Sequence, residues 1–380
     1  MMTVRSRWIL LVWLCAVLPL HGRDATANQA LDLMRANRFH DAEVLWRQLA
    51  TRYPNNPAVH SNLGVTLAQQ GQYEPAAAEY RKSLALSPRQ PEVAFNLAAA
   101  EFKQGHFQQA IPPLKLVARL KQDDPRTTLL LGMSYYGLRQ YALATPYLQQ
   151  ASRNAPANLE LHNVLAQSCL WSHQYDCALT EFKSILVQNP DAVQAHMLLA
   201  EALDGMGKTD EAIQELASAE TLSPHEPVLH FELGYLYYKK GDYEKAGPEL
   251  QAEITDNPGY AQAYLYLGDI AVRTNDNAQA EPLITKAIQL QKDLRLAYFD
   301  LGRIYSDQDK KPEAIEAFQH ALKLDPAQPD AHYRLARLYL QVGQKQKAAE
   351  EFATTKKLHT KVNDSLIEKV SGDPTPPPPE

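Results

Sequence analysis

Cysteine is scarce: three in 380 residues. That excludes a disulfide-dense scaffold and any multi-cysteine zinc framework. Basic blocks are lacking too. With 38 basic and 44 acidic residues the chain carries a net charge of -6, which argues against nucleic acid or anionic lipid as the main partner. Long apolar runs are missing as well. The stretch from Trp8 to Leu20 has thirteen uncharged residues, short of the roughly 20 that a membrane-spanning helix needs. What remains, 45% hydrophobic and 22% charged, is a soluble globular composition.

The N-terminus reads as an export signal. Arg5 and Arg7 precede the apolar stretch, and Ala25-Thr26-Ala27 follows with a small-x-small cleavage pattern. Cleavage is expected after Ala27, making 1–27 a signal peptide. Pro19 to Gly22 offers an earlier site, and an uncleaved anchor is the alternative. Trp13 and Leu14 stand before Cys15 where a lipoprotein signal carries small residues. The expected location is therefore exported, periplasmic or secreted.

One period organises the rest. Leu63-Gly64, Leu97-Ala98, Leu131-Gly132 and their successors, down to Leu335-Ala336, recur every 34 residues. With that Leu as position 7, position 20 is Ala in every copy, from Ala42 and Ala76 to Ala348, and position 8 is always Gly or Ala. The register holds from Arg23 to Val362, from 23–56 through 329–362, without an insertion or deletion. Apolar residues at helical spacing flank a turn marked by Gly71, Gly105, Gly207, Gly241 and Gly343 at position 15. Small residues at positions 8 and 20 let two helix backbones approach. Proline at position 32 (Pro54, Pro88 and others) separates one hairpin from the next, and an aromatic at position 17 is expected to plug the gap beside it. Pro112, Pro146, Pro248 and Pro282, at position 22, are expected to bend or delay the second helix.

Leu233-Gly234, Tyr237, Ala246, Leu250 and Pro258 carry the pattern by which the chain resembles the tetratricopeptide repeat family. Position 4 is rarely the Trp of the usual motif, and Gln29 stands for Leu in the first copy. The resemblance implies an all-α fold, a right-handed superhelical solenoid of antiparallel helix pairs whose first helices line a concave groove. Ten repeats then occupy 28–362, a short capping helix 363–370 and a disordered proline-rich tail 371–380.

Chemistry is hard to find along the chain. Gly205-Met206-Gly207-Lys208-Thr209 ends like a nucleotide-binding loop, but Ala202 stands where the motif needs Gly, and the segment is an inter-helix turn. His60, His162, His196, His230 and His332 share position 4. Helices about 8–10 Å apart cannot bring one histidine per repeat onto a metal, so these read as packing residues, with acid protonation a means of softening the solenoid. Cys169 and Cys177 sit on opposite arms of one hairpin. Buried thiols are the favoured state, and a disulfide across the turn is the alternative. No catalytic constellation, metal site or cofactor is expected.

The resemblance assigns the groove to positions 2, 5, 6, 9, 12 and 13. From the third repeat onward these hold Phe95, Phe102, Leu129, Met133, Tyr136, Leu170 and Trp171, then Met197, Phe231, Tyr235, Tyr238 and Tyr266. Aromatic and Met side chains among polar neighbours suit a protein interface, although about half of these are expected to pack between helices. Asn28, Asn62 and Asn96 share position 6 and resemble the asparagine ladder with which some relatives grip peptide backbone. Arg303 and Arg337 share position 9, near Arg273 and Arg334, and suit acidic segments or a terminal carboxylate. Asp269, Asp300, Asp307 and Asp330 are close enough to neutralise them. No repeat pairs Lys at position 5 with Asn at position 9, so the clamp for chaperone tails is absent.

Two roles follow as expectations. One is a non-catalytic adaptor binding a protein or peptide segment in the groove. The other is an assembly component of an envelope or secretion complex, working through solenoid packing, with homo-oligomers compatible. Apolar surface inside the groove favours the first; on the outer face or the ends it favours the second.

Overall fold

Proline at the first helical position and a side-chain cap before it start two of the hairpins. In a computed structural model that describes residues 25–371, with side chains through Thr360, Asn56 and Asp124 each accept a hydrogen bond from a backbone N–H two residues on, just ahead of Pro57 and Pro125. Proline gives up no intrahelical bond there, and the cap satisfies one of the helix's orphan donors. The expectations for 1–27, apart from Ala25 to Ala27, and for the tail beyond Ser371 lie outside the described residues.

Twenty helices follow in pairs among the described residues. They begin with α1 Ala25–Arg35, α2 Phe39–Arg52, α3 Pro57–Gln69, α4 Tyr73–Leu86 and α5 Pro91–Lys103. Next come α6 Phe107–Leu120, α7 Pro125–Gly137, α8 Tyr141–Asn154, α9 Leu159–Trp171 and α10 Tyr175–Gln188. Then follow α11 Val193–Gly205, α12 Thr209–Leu222, α13 Leu229–Lys240, α14 Tyr243–Asp256 and α15 Ala261–Arg273. The last are α16 Asn277–Leu290, α17 Arg295–Asp307, α18 Lys311–Leu324, α19 Pro329–Gln341 and α20 Lys345–Ser371. Residues 363–370 lie within α20, continuous with the second helix of the tenth repeat. The chain divides into two compact units, one of residues up to 190 with 201–206, the other of 191–200 with 207 onward.

Each hairpin closes the same way. All ten position-15 residues have left-handed backbone: the five glycines at φ 76 to 79°, and Asn37, Arg139, His173, Asn275 and Asp309 at φ 56 to 61°. Glycine adopts that conformation freely, and the other five bear its steric cost. In the first unit the position-24 side chains Trp46, Tyr80, Leu114, Leu148 and Phe182 are fully buried; in the second so are Leu250, Ile284 and Phe318. Position 8 faces them. A Cβ on Gly64 would lie 2.6 Å from Tyr80, and one on Gly302 2.8 Å from Phe318. The small residue there is a packing requirement, since each buried large side chain contributes about 1.5–3 kcal/mol only if the helices close on it. Position 17 packs on the following repeat: a Cβ on Gly137 would meet Phe107, and one on Gly205 would meet Tyr175, each at 2.5 Å.

The prolines at position 22 neither delay nor shorten their helices, contrary to expectation. α6, with Pro112, and α4, without one, both run 14 residues from position 17. Pro112, Pro146, Pro248 and Pro282 all lie on the exposed face. A carbonyl deprived of its N–H partner there can bond to water.

Candidate protein-binding groove

Positions 2, 5, 6, 9, 12 and 13 are linked by steps of three or four residues, so they form one face of each first helix. In the first unit that face changes character along the chain. Asn62 and Asn96 are buried on α3 and α5, and neither amide atom of Asn62 has a hydrogen-bond partner. Asn28 is exposed. The three asparagines are therefore not presented alike, and no uniform backbone-gripping ladder forms. Phe95 is buried, with the Arg126 guanidinium 4.6 Å from its ring centre, and Leu170 is buried on α9. Phe102, Leu129, Met133 and Tyr136 are half-buried. Phe102 meets Phe107 edge-on at 5.2 Å.

Among the apolar groove candidates of this unit, Trp171 is exposed, at 39%. It packs on Tyr141 at 4.9 Å and on Tyr136 at 6.1 Å. The Tyr136 hydroxyl donates to Gln167 at 2.6 Å, and burial pushes its pKa up to about 12. Tyr141 and Trp171 border a cleft of about 630 Å³ that also takes in Arg139, His173, Tyr175 and Glu201.

The second unit presents a denser aromatic surface. Met197 is buried, but Phe231, Tyr235, Tyr238 and Tyr266 are half-buried. Phe231 and Tyr235 stack at 6.0 Å, and Tyr266 lies 5.2 Å from Tyr235 and 4.9 Å from Tyr238. Tyr260, not singled out from the sequence, adds a ring 4.8 Å from Phe231. The cluster spans α13 and α15.

Beside it lies a charged network. The Tyr238 hydroxyl donates to Asp269 at 2.5 Å, and Arg273 pairs with the same carboxylate at 2.5 Å. Burial, the hydrogen bond and the Asp269 charge hold Tyr238 well above the usual phenol range. Asp300 is buried with neither oxygen hydrogen-bonded; burial, then the Asp269 charge, raise its pKa far above an ordinary carboxylate's. Arg303 stands 3.6 Å from it. The expected internal neutralisation therefore reaches Arg273 and, weakly, Arg303. Arg334 and Arg337 have no ion-pair partner among the described residues.

The position-4 histidines turn out not to be simple packing residues. Nδ1 of His60, His162, His196, His230 and His332 meets Glu79, Glu181, Glu215, Glu249 and Glu351 at 2.6, 2.5, 2.7, 2.8 and 2.5 Å. Every partner lies 19 residues downstream, at position 23 on the second helix of the same hairpin. Nε2 of His60 and His332 also meets the carbonyl of the preceding repeat's position-32 proline, Pro54 at 2.8 Å and Pro326 at 3.0 Å. Glu220, His230 and Glu249 bring possible ligand atoms within 4.8 Å of one another, but Glu249 and the Pro224 carbonyl already engage the imidazole. The recurring His-x18-Glu spacing was the signal that could have disclosed these pairs.

Cys169 and Cys177 form a disulfide, with alpha carbons 5.7 Å apart, between α9 and α10. Thiols had been the favoured expectation; the left-handed turn at His173 brings the two arms close enough to bridge. The Gly207-Lys208-Thr209 segment is an inter-helix turn leading into α12.

Tetratricopeptide repeat profiles match residues 28–91 and 231–293, 67–132 and 135–202, and 193–226, and a TPR repeat profile matches 302–343. The chain belongs to the tetratricopeptide repeat family. Among solved structures, this repeat protein is similar to the C-terminal part of a TPR repeat-containing protein from Cytophaga hutchinsonii. That match has 20% identity and a TM-score of 0.50, covering 63% of this chain and 99% of the other. YrrB, described as a TPR protein with an unusual peptide-binding site, matches at 19% identity and TM-score 0.41, covering 50% and 97%. MamA from Desulfovibrio magneticus RS-1 matches at 22% and 0.40, covering 44% and 95%. Comparison with curated protein sequences finds no match.

Proposed function

We propose that the protein is an exported, non-catalytic adaptor that holds a segment of a partner protein against the first-helix face of its repeats. The observation that carries this reading is the half-buried aromatic cluster of Phe231, Tyr235, Tyr238 and Tyr266, with ring centres 4.9 to 6.0 Å apart. Rigid, part-exposed aromatic rings with hydroxyl groups are the material of protein interfaces. Export is supported by the Arg5, Arg7 and Trp8–Leu20 signal pattern and by the Cys169–Cys177 disulfide, which persists in an oxidising compartment.

A second reading has its own observation. Leu86, Leu120, Leu222, Leu290 and Leu324 all occupy position 30, the last residue of a second helix, and each is 38 to 41% exposed. Such a recurring apolar edge suits packing against other subunits of an envelope assembly.

Site-specific photo-crosslinking separates the two. Crosslinkers at Phe231 and Tyr235, with Leu222 and Glu244 as outer positions, are irradiated in envelope extract. A discrete heterologous adduct from the groove positions alone supports the adaptor. Adducts only to the protein itself, or only from Leu222, overturn it in favour of assembly.

A further inference from the structure

Three guanidinium groups share the first-helix face at the C-terminal end of the second unit: Arg303 on α17, and Arg334 and Arg337 on α19. They fall at positions 9, 6 and 9 of adjacent repeats. Two are laid on aromatic rings at position 5, Arg334 5.7 Å from the Phe299 centre and Arg337 6.0 Å from the Tyr333 centre. A guanidinium stacked on a ring keeps its N–H donors pointing outward at its edge, free for a planar acceptor.

Among the described residues, no carboxylate forms an ion pair with the two arginines of α19. Among the described residues Arg303 pairs with Asp300 alone, at 3.6 Å, and that buried group is biased toward its neutral acid by its surroundings and by Asp269. Asp307 and Asp330 act on Arg334 at longer range, and neither forms an ion pair with it. Burial and the like charges of Arg303 and Arg337 instead hold Arg334 below the usual arginine range. In a chain of net charge -6, a cluster of mutually repelling cations has no solubility role to fill. It is relieved by an anion.

We infer that this face takes an Asp- and Glu-rich segment of the partner protein, with Arg334 and Arg337 forming forked hydrogen bonds to its carboxylates. Carboxylates of an extended chain present planar two-oxygen acceptors at intervals that adjacent first helices can meet. The inference rests on the adaptor reading and names the chemistry of its ligand.

The test uses the full chain and two fluorescein-labelled peptides, one of alternating Glu and Gly, the other of alternating Gln and Gly, followed by fluorescence anisotropy. The Glu peptide is expected to bind about tenfold or more tightly than its Gln counterpart, and less tightly as salt rises. R334Q/R337Q should lose that preference, R334K/R337K should keep part of it, and R119Q, at an exposed arginine on α6, should change nothing. Circular dichroism of each variant shows that the helices persist. Equal binding of both peptides, binding of neither, or wild-type affinity in R334Q/R337Q overturns the inference. Tighter capture of single-stranded nucleic acid than of the Glu peptide by the same arginines also overturns it. A heterologous crosslink at Phe231 combined with any of these failures leaves the adaptor reading standing and removes only the acidic ligand.

Discussion

His60 and Glu79 are 19 residues apart in the chain and 2.6 Å apart in space, while the other nitrogen of His60 meets the Pro54 carbonyl at 2.8 Å. A carboxylate and a carbonyl can only accept. At His230 the same two kinds of acceptor, Glu249 and the Pro224 carbonyl, raise the pKa, so there mild acid strengthens the staple, against the expected softening.

The pH dependence follows from this arrangement. Although burial opposes it, bonds to Glu249 and the Pro224 carbonyl raise the pKa of His230 above 6.5. Its contribution is therefore complete below about pH 6.5 and is lost as pH rises through the folded-state value. Hydrogen bonds and charges from Lys82 and His60 overcome burial to lower Glu79 below 4.5, and that contribution is complete above about pH 4.5 and lost in stronger acid. The melting-temperature gap between wild type and His230→Gln should be wider at pH 6 than at pH 8.5. A gap that is constant or widens with pH would refute the assignment.

Asp300 carries the opposite sign. Its folded-state pKa is raised by burial and by Asp269, so it costs stability increasingly as pH climbs above the ordinary carboxylate value. Asp300→Asn removes the titration and nearly keeps the shape. The variant should gain melting temperature over wild type at pH 8 by more than at pH 5, a difference that calorimetry at both values measures.

Arg139 holds a left-handed turn at φ 58°, where five other repeats use glycine. Arg139→Gly should stabilise the protein by about 1 kcal/mol, the relief of the left-handed cost less the added unfolded-state freedom. The same exchange reversed, Gly105→Arg, should destabilise it by a similar amount in denaturant titrations.

Gly302 faces the ring of Phe318. Gly302→Val should destabilise by roughly 1–3 kcal/mol through overpacking. The double variant Gly302→Val with Phe318→Ala should cost less than the sum of the two single changes, because the cavity receives the added methyl groups. An additive result would show that the two residues do not share a packing site.

Closing the eight-residue separation between Cys169 and Cys177 should contribute about 2.5 kcal/mol by loop entropy. Dithiothreitol should lower the unfolding midpoint of wild type but leave Cys177→Ser unchanged. Equal shifts in both would mean the bridge is not what the reductant removes.

The hairpins were legible because Leu at position 7, Ala at position 20 and Gly at position 15 each answer a local demand of helix packing or turn geometry. What escaped depended on pairs in different helices. Glu79, Glu181 and the other position-23 residues looked like ordinary solvated acids until the fold set them against histidines. Phe95, Leu170 and Met197 occupy groove positions by register, yet they are buried, since register sets direction and not how closely the neighbouring helices approach. Arg303 is poorly neutralised because its partner Asp300 is buried and held toward its uncharged form, which residue spacing alone does not reveal. The Cys169–Cys177 bridge needed the left-handed turn at His173, which no glycine announces.

The shared left-handed turn has a genetic consequence. Whatever residue stands at position 15, the backbone there is left-handed. A stretch encoding one 34-residue unit can therefore be duplicated or deleted whole without disturbing the joints on either side. Unequal recombination between such similar segments would lengthen or shorten the protein by one complete hairpin at a time, changing the extent of its first-helix face without redesigning how it folds.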